Sequence, residues 1–285
     1  MGRKFGLSAD FDTLDAPAQN ALLAPEQTEA ASKAALASAF GEAPKIGLPG
    51  NNGVTLYQGY EHNGEWLRDA EVRELNGTDE EALAKVGGNW LRFVDVLIQR
   101  GTVSIGDQPM TREIGDALLI GDREALVVGI RIVTFGEMLE IDDYECPECH
   151  EKSDLEIDLT ALPVEKSAGE TATVALRQGH EAVVRYTTGA DQRAVYANPD
   201  SKLAEQNTIL LSRCVISFDG EPVPSSTAGR VQRVQKMRLD HRRAILQHLA
   251  DTQPGPRLDR IEYTHDACGS VIKLPLSIGD LFLGL

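Results

Sequence analysis

The sequence predicts an α+β protein of two internally duplicated halves. Each half has a β-hairpin, helices and a metal knuckle; one structural zinc site bridges them, and a helical arm precedes them. Three observations predict this. The first is a pair of short motifs, Tyr144-Glu-Cys146-Pro-Glu-Cys149-His150 and Tyr263-Thr-His265-Asp-Ala-Cys268-Gly269, each offering two metal ligands three positions apart. Neither pair can hold an ion alone, but Cys146, Cys149, His265 and Cys268 together form the closed four-ligand set of a structural zinc. The second is their registration: Tyr144 to Tyr263, Cys146 to His265 and Cys149 to Cys268 are each 119 positions apart. The third is upstream agreement. Arg123-Glu-Ala125-Leu126 falls on Arg242-Arg-Ala244-Ile245 at 119, Arg100-Gly-Thr-Val103 on Arg213-Cys-Val-Ile216 at 113, and Val72-Arg73 to Asp79 on Val184-Arg185 to Asp191 at 112. Loop insertions between elements of equal length produce such a drift. The metal then staples the middle of the chain to its end, in a pseudo-dimer folded from one polypeptide.

Residues 1–45 read as an Ala-rich arm. Leu22, Leu23, Leu36 and Phe40 favour helix but make too thin an apolar stripe for a core. Pro44, Gly47, Pro49, Gly50 and Gly53 break the pattern and serve as a linker, without the Gly-Lys-Ser/Thr ending of a phosphate-binding loop. The first repeat, 46–163, opens with Val54–Tyr57 and a return strand Trp66–Leu75 about Asn63-Gly64, a strong hairpin signal. The second, 164–285, repeats this with Thr171–Arg177, a Gln-Gly-His turn and Ala182–Tyr186. Thr78 with Glu81 has capping-box form, so Asp79 and its counterpart Asp191 are expected to start helices rather than to catalyse. Leu91–Ile98 suits a helix or a buried strand equally, and Thr102–Ile105 has strand composition. Ile209–Phe218 is its partner run, with Cys214 packing as a small apolar side chain. Leu118 to Ile130 predicts one or two core helices broken near Gly121 and ended at Gly136. Val231–Leu249 is the counterpart, where His241 and His248 are expected on the surface. Each cysteine turn is followed by a short alternating run, Leu155–Leu159 and Val271–Leu274, expected as the knuckle strands.

Composition narrows the function. Asp and Glu number 44 against 28 Lys and Arg, a formal charge of −16 that opposes non-specific binding to nucleic acid, although Arg230 to Arg243 forms a local basic stretch. Four cysteines, three of them in the knuckles, do not make a secreted disulfide framework. Asp10 and Asp12 interrupt the basic start before any apolar run forms, and Gly6 stands where a myristoylation motif has Ser or Thr. No signal peptide, lipid anchor or membrane span is therefore expected, and the expected compartment is a cytoplasm. Two rivals to zinc share the first knuckle: a thiol-disulfide oxidoreductase using Cys146 and Cys149, and haem attachment through Cys146-x-x-Cys149-His150. A zinc-ribbon nucleic-acid module is a further alternative. No nucleophile elbow or His-Glu-x-x-His is present, and His62 and His180 sit in hairpin turns, so no catalytic residue is assigned.

Three longer strings carry a family resemblance: Val72-Arg-Glu-Leu-Asn-Gly-Thr-Asp-Glu-Glu-Ala-Leu83, Leu118-Leu-Ile-Gly-Asp-Arg-Glu-Ala-Leu-Val-Val-Gly-Ile-Arg-Ile-Val-Thr-Phe-Gly136, and Cys-Pro-Glu-Cys149 followed by Asp154-Leu-Glu-Ile-Asp-Leu159. From about residue 60 to the C-terminus the chain resembles the T4-type baseplate hub assembly chaperones of contractile-tailed phages and related contractile injection systems. His265 stands where such a pattern would have Cys. The resemblance implies a non-enzymatic structural or assembly protein of the tail, with baseplate hub, tube or spike proteins as partners. It also implies a place in the host bacterial cytoplasm during assembly or in the virion baseplate.

Overall fold

A computed structural model describes residues 52–86, 89–166, 169–198 and 200–282. The arm expected over 1–45 and most of its linker lie outside the described residues. The first strands are β1 (Gly53–His62) and β2 (Glu65–Val72), antiparallel about Asn63-Gly64. Both turn residues have positive φ, 52° and 85°, the pair that a two-residue hairpin matched to strand twist requires. Next come α1 (Gly77–Ala84), α2 (Trp90–Gly101), β3 (Thr102–Ile105), β4 (Gln108–Pro109), α3 (Arg112–Ala117) and α4 (Ile120–Phe135). A hairpin of β5 (Met138–Glu145) and β6 (Lys152–Asp158) closes the set.

The order then recurs. After a short β7 (Val164–Glu165) come β8 (Thr171–Ala175), β9 (Glu181–Arg185), α5 (Gly189–Tyr196) and α6 (Leu203–Cys214). β10 (Val215–Phe218), β11 (Glu221–Pro222), α7 (Thr227–Gln235) and α8 (Leu239–Thr252) follow. Beyond β12 (Gly255–Pro256) lies the last hairpin, β13 (Glu262–Thr264) with β14 (Val271–Lys273). The two larger sheets are strung alike, β1-β2-β3-β4 and β8-β9-β10-β11. Eight α-helices and several small antiparallel sheets among the described residues make the fold mixed α+β.

Several elements settle readings that the sequence left open or misplaced. Leu91–Ile98 is helical because Val94, Leu97, Ile98 and Gly101 are buried at helical spacing, and the Asn89 side chain caps the Arg92 amide. The run Ile209–Phe218 divides: helix continues through the buried Cys214, and strand begins at Val215. The break in the long helical stretch falls at Leu118-Leu119, two residues before Gly121. At α1 the capping box is Asn76 with Asp79 rather than Thr78 with Glu81, because Asn76 takes the extended conformation and bonds the Thr78 amide. His241 is buried, not on the surface, because α8 lays it against the rings of His180 and Phe218.

The two sets of elements share their cores unequally. One cluster is built on Leu56, Val72, Leu97, Ile98, Leu126 and Ile130, and also takes in Leu258, Ile261, Ile272, Leu274, Leu281 and Phe282 from the chain's end. The other holds Val174, Val184, Leu211, Cys214 and Ile245, and borrows Leu119 from the first set. Backbone bonds mark this exchange: Ile120 N–H donates to the Thr187 carbonyl and Gly189 N–H to that of Leu118. The seam is close enough to need glycine. A Cβ at Gly121 would stand 1.6 Å from the Pro254 carbonyl oxygen. At the far end Arg131, buried under Phe135, donates to the Leu281 carbonyl at 2.7 Å and to those of Gly136 and Met138.

Candidate metal centre

The knuckles have one backbone design. In the first, Cys146 N–H donates to the Glu151 carbonyl and His150 N–H to that of Cys146, at 3.0 and 2.9 Å. In the second, His265 N–H donates to the Ser270 carbonyl and Gly269 N–H to that of His265, at 2.9 and 2.7 Å. The fifth residue of each turn has positive φ: His150 at 61°, Gly269 at 70°. An L-residue is strained there, and glycine is not. The flanking strands agree as well. Glu145 pairs with Lys152 and Thr264 with Val271, the same register 119 positions on.

All four ligand residues converge. Their candidate ligand atoms, three Sγ and one imidazole nitrogen, lie within 4.8 Å of one another. Cys146 Sγ is 3.8 Å from Cys268 Sγ, and His265 Nδ1 is 3.6 Å from Cys149 Sγ and 3.3 Å from Cys268 Sγ. Zinc–sulfur bonds of about 2.3 Å and zinc–nitrogen bonds of about 2.0 Å at tetrahedral angles give edges of about 3.8 Å between sulfurs and about 3.5 Å from sulfur to nitrogen. The three short separations are close to those edges, and no two of the four donors are more than 4.8 Å apart, so the set suits a tetrahedral ion. Cys146 and His265 are buried, Cys149 and Cys268 exposed, so the site is seated in the core on one side and open to solvent on the other. Hydrogen bonds from the Ser270 side chain and amide, with His265 beside it, pull the Cys268 thiol down to about 6, into the range where it is a thiolate at neutral pH. His265 Nε2 is buried with no hydrogen-bond partner among the described residues. Nδ1 faces the sulfurs of Cys149 and Cys268, and a ring that binds a cation through Nδ1 must carry its proton on Nε2.

His150 stands outside this group. Its Nδ1 meets Glu145 Oε1 at 3.1 Å on an exposed face. Cys214 is also apart, buried against Thr187, and burial pushes its thiol up to about 11, the property of an inert core cysteine.

A second constellation escaped the sequence reading although every member lay in the aligned strings. Asp79, at the start of α1, accepts from Arg73 (2.8 and 3.0 Å) and from Arg100 (3.0 Å). Asp191, at the start of α5, accepts from Arg185 (2.6 and 2.9 Å) and from Arg213 (2.6 Å). Both carboxylates are buried, and each also accepts the amide that precedes its helix. The Arg73 guanidinium holds Asp79 down to about 2. Burial raises Asp191, but Arg185, the Thr188 amide and Arg213 outweigh it, and the carboxyl again sits at about 2. Recurrence of Arg, Asp and Arg at offsets of 112, 112 and 113 was the available signal. These groups pin hairpin, helix and helix together.

No helix among the described residues is long and apolar enough to cross a membrane. A family model described as T4 bacteriophage base plate protein matches residues 84–282, from the end of α1 through both knuckles to the last turn. No curated protein and no solved structure gives a significant match.

Proposed function

The chain belongs to the T4 bacteriophage base plate protein family, and from that membership we propose that it is a non-enzymatic structural or assembly protein of a contractile tail or injection-system baseplate hub, folded around a structural zinc. Its partners are then other baseplate proteins, of hub, tube or spike, met in the host bacterial cytoplasm during assembly or in the virion baseplate. The zinc is held by Cys146, Cys149, His265 and Cys268. One observation carries this part: four donors from segments more than a hundred residues apart lie within 4.8 Å of one another. All four positions of such an ion are protein atoms, so it has no vacancy for water or substrate, and its role is to tie the two knuckles together.

The same reading divides the chain into an arm at 1–45 and two duplicated units, 46–163 and 164–285, that meet across the metal. Matching strand order, matching knuckle bonds and the paired Arg-Asp-Arg groups support the duplication. An oxidoreductase needs only Cys146 and Cys149 and gives no reason for His265 and Cys268 to close on them.

Two experiments separate the parts. A genome that lacks this reading frame should give tails without a completed baseplate hub, seen by electron microscopy of the lysate; intact infectious particles would overturn the assembly role. Native mass spectrometry of the purified chain should show one zinc per chain that a chelator removes together with its cooperative unfolding transition. A metal-free chain with a reversible Cys146–Cys149 disulfide would favour the oxidoreductase.

A further inference from the structure

The two halves differ sharply in charge. Residues 46–163 carry 24 acidic and 9 basic side chains, and residues 164–285 carry 14 and 15, so nearly all of the chain's excess negative charge sits in the first half. It is concentrated further still. The hairpin β5–β6 and its turn, residues 137–158, hold ten acidic side chains, all exposed, against Lys152 and His150, whereas the matched window 256–277 holds three of each sign. On the outer face of the hairpin, Glu140 stands directly across from Glu156, and Met138 from Asp158. Like charges in facing positions repel. Beside them Phe135 and Met138 are 51% and 41% exposed, an apolar spot within an acidic rim.

The second half has a face of the opposite kind. Leu203, first residue of α6, is 72% exposed, and Leu239, first residue of α8, is 64% exposed. Arg242, one turn into α8, reaches the Ala204 carbonyl and the Thr208 hydroxyl, so the two helix starts adjoin. Around the leucines Lys202, Lys236 and Arg243 are exposed and carry no ion pair among the described residues. The matched positions of the first half are Trp90 and Ile120. Trp90 is 43% exposed but stacks on Phe93, and Ile120 is half-buried; both border a cleft of about 510 Å³ flanked by Leu276 and Ile278 from the chain's end. The second half thus exposes more apolar surface at these two positions than the first, and rims it with cations.

We propose that this basic face of the second half receives the acidic β5–β6 hairpin of another copy of the same chain. An apolar centre with a rim of complementary charge is the usual anatomy of a specific interface, and the charges steer encounter and fix orientation. Because the two faces differ and both belong to one chain, the contact is head-to-tail. It therefore continues past a dimer, into a ring or a filament according to its rotation.

The test is sedimentation of the metal-replete full chain at about 50 and about 500 mM salt, conditions that differ strongly in screening. Species larger than a dimer are expected at low salt, reverting to monomer at high salt. Glu140→Lys with Glu156→Lys, and separately Lys236→Glu with Arg243→Glu, should each weaken association at least tenfold. These positions are exposed, and an unchanged melting curve shows that each variant is folded. Mixed together, the two variants carry one native pair of faces and one charge-swapped pair, and association should return. A monomer at every salt concentration, association that neither reversal touches, or retention of DNA by the basic face without self-association would each overturn the proposal.

Discussion

At two matched positions the halves of this protein agree, and at two others they part. Asp79 and Asp191 each lie buried at a helix start between two arginines, with the same partners in the same order. Asp122 and His241, also matched, behave differently. Asp122 is buried under β1 and accepts the amides of Tyr57, Gln58 and Gly59, where the strand bulges. His241 packs instead on His180 and Phe218, and its Nε2 is buried without a hydrogen-bond partner among the described residues. The shared groups fix how hairpin and helices meet, which both halves need. The divergent ones serve local features that only one half has: a ten-residue edge strand with a bulge in the first, a five-residue strand in the second.

The comparison can be broken most forcefully at the knuckles. Cys268→Ser should remove the metal and, with it, stabilisation on the order of 10 kcal/mol. It should loosen the first half as well as the second, because Ile272 and Leu274 beside the second knuckle belong to the first half's core. Hydrogen exchange that rises only in residues 164–285 would show that the metal does not join the halves. Next in size is Asp122→Ala, which leaves three strand amides without an acceptor and should cost roughly 3 kcal/mol. His241→Phe removes an unpaired nitrogen and should be close to neutral. Denaturant unfolding of the two variants checks the contrast, and equal losses would refute it.

The arginine-held carboxylates predict the acid limb of stability. Each titrates near 2 when folded and near 3.8 when unfolded. The unfolded chain therefore takes up the protons first as pH falls. Their contribution is complete above pH 4 and drains away between about 4 and 2, on the order of 2 kcal/mol from each. Asp79→Asn and Asp191→Asn should flatten this limb by similar amounts. Glu124 works in the opposite sense. Burial raises it to about 7, against an ordinary 4.5, so the folded state holds a proton that the unfolded state has lost. Stability therefore falls as pH rises from 4.5 to 7, and Glu124→Gln should remove that slope. Its counterpart Arg243 is exposed, and Arg243→Gln should leave the slope in place. Smallest of all should be His265→Cys, which makes the knuckles alike in ligand type and should keep the metal.

Much of this was legible because it is local or repeated. The Cys146/Cys149 and His265/Cys268 spacings, the Asn63-Gly64 turn and the 119-residue offset needed no knowledge of packing. What the sequence hid depends on neighbours distant in the chain. Nothing in α8 says that His180 and Phe218 will cover His241, and nothing local chooses Asn76 over Thr78 as a cap. The Arg-Asp-Arg groups lie between these cases. Their spacing repeats in plain sight, but that the side chains meet follows only once α1 packs against α2 and α5 against α6.

X-ray absorption at the zinc edge of the purified chain tests the central claim most directly. Three sulfurs at about 2.3 Å and one nitrogen at about 2.0 Å are expected, with one sulfur lost in Cys146→Ser and one in Cys268→Ser. A shell of oxygens, or a metal-free chain that unfolds identically with and without chelator, would contradict it.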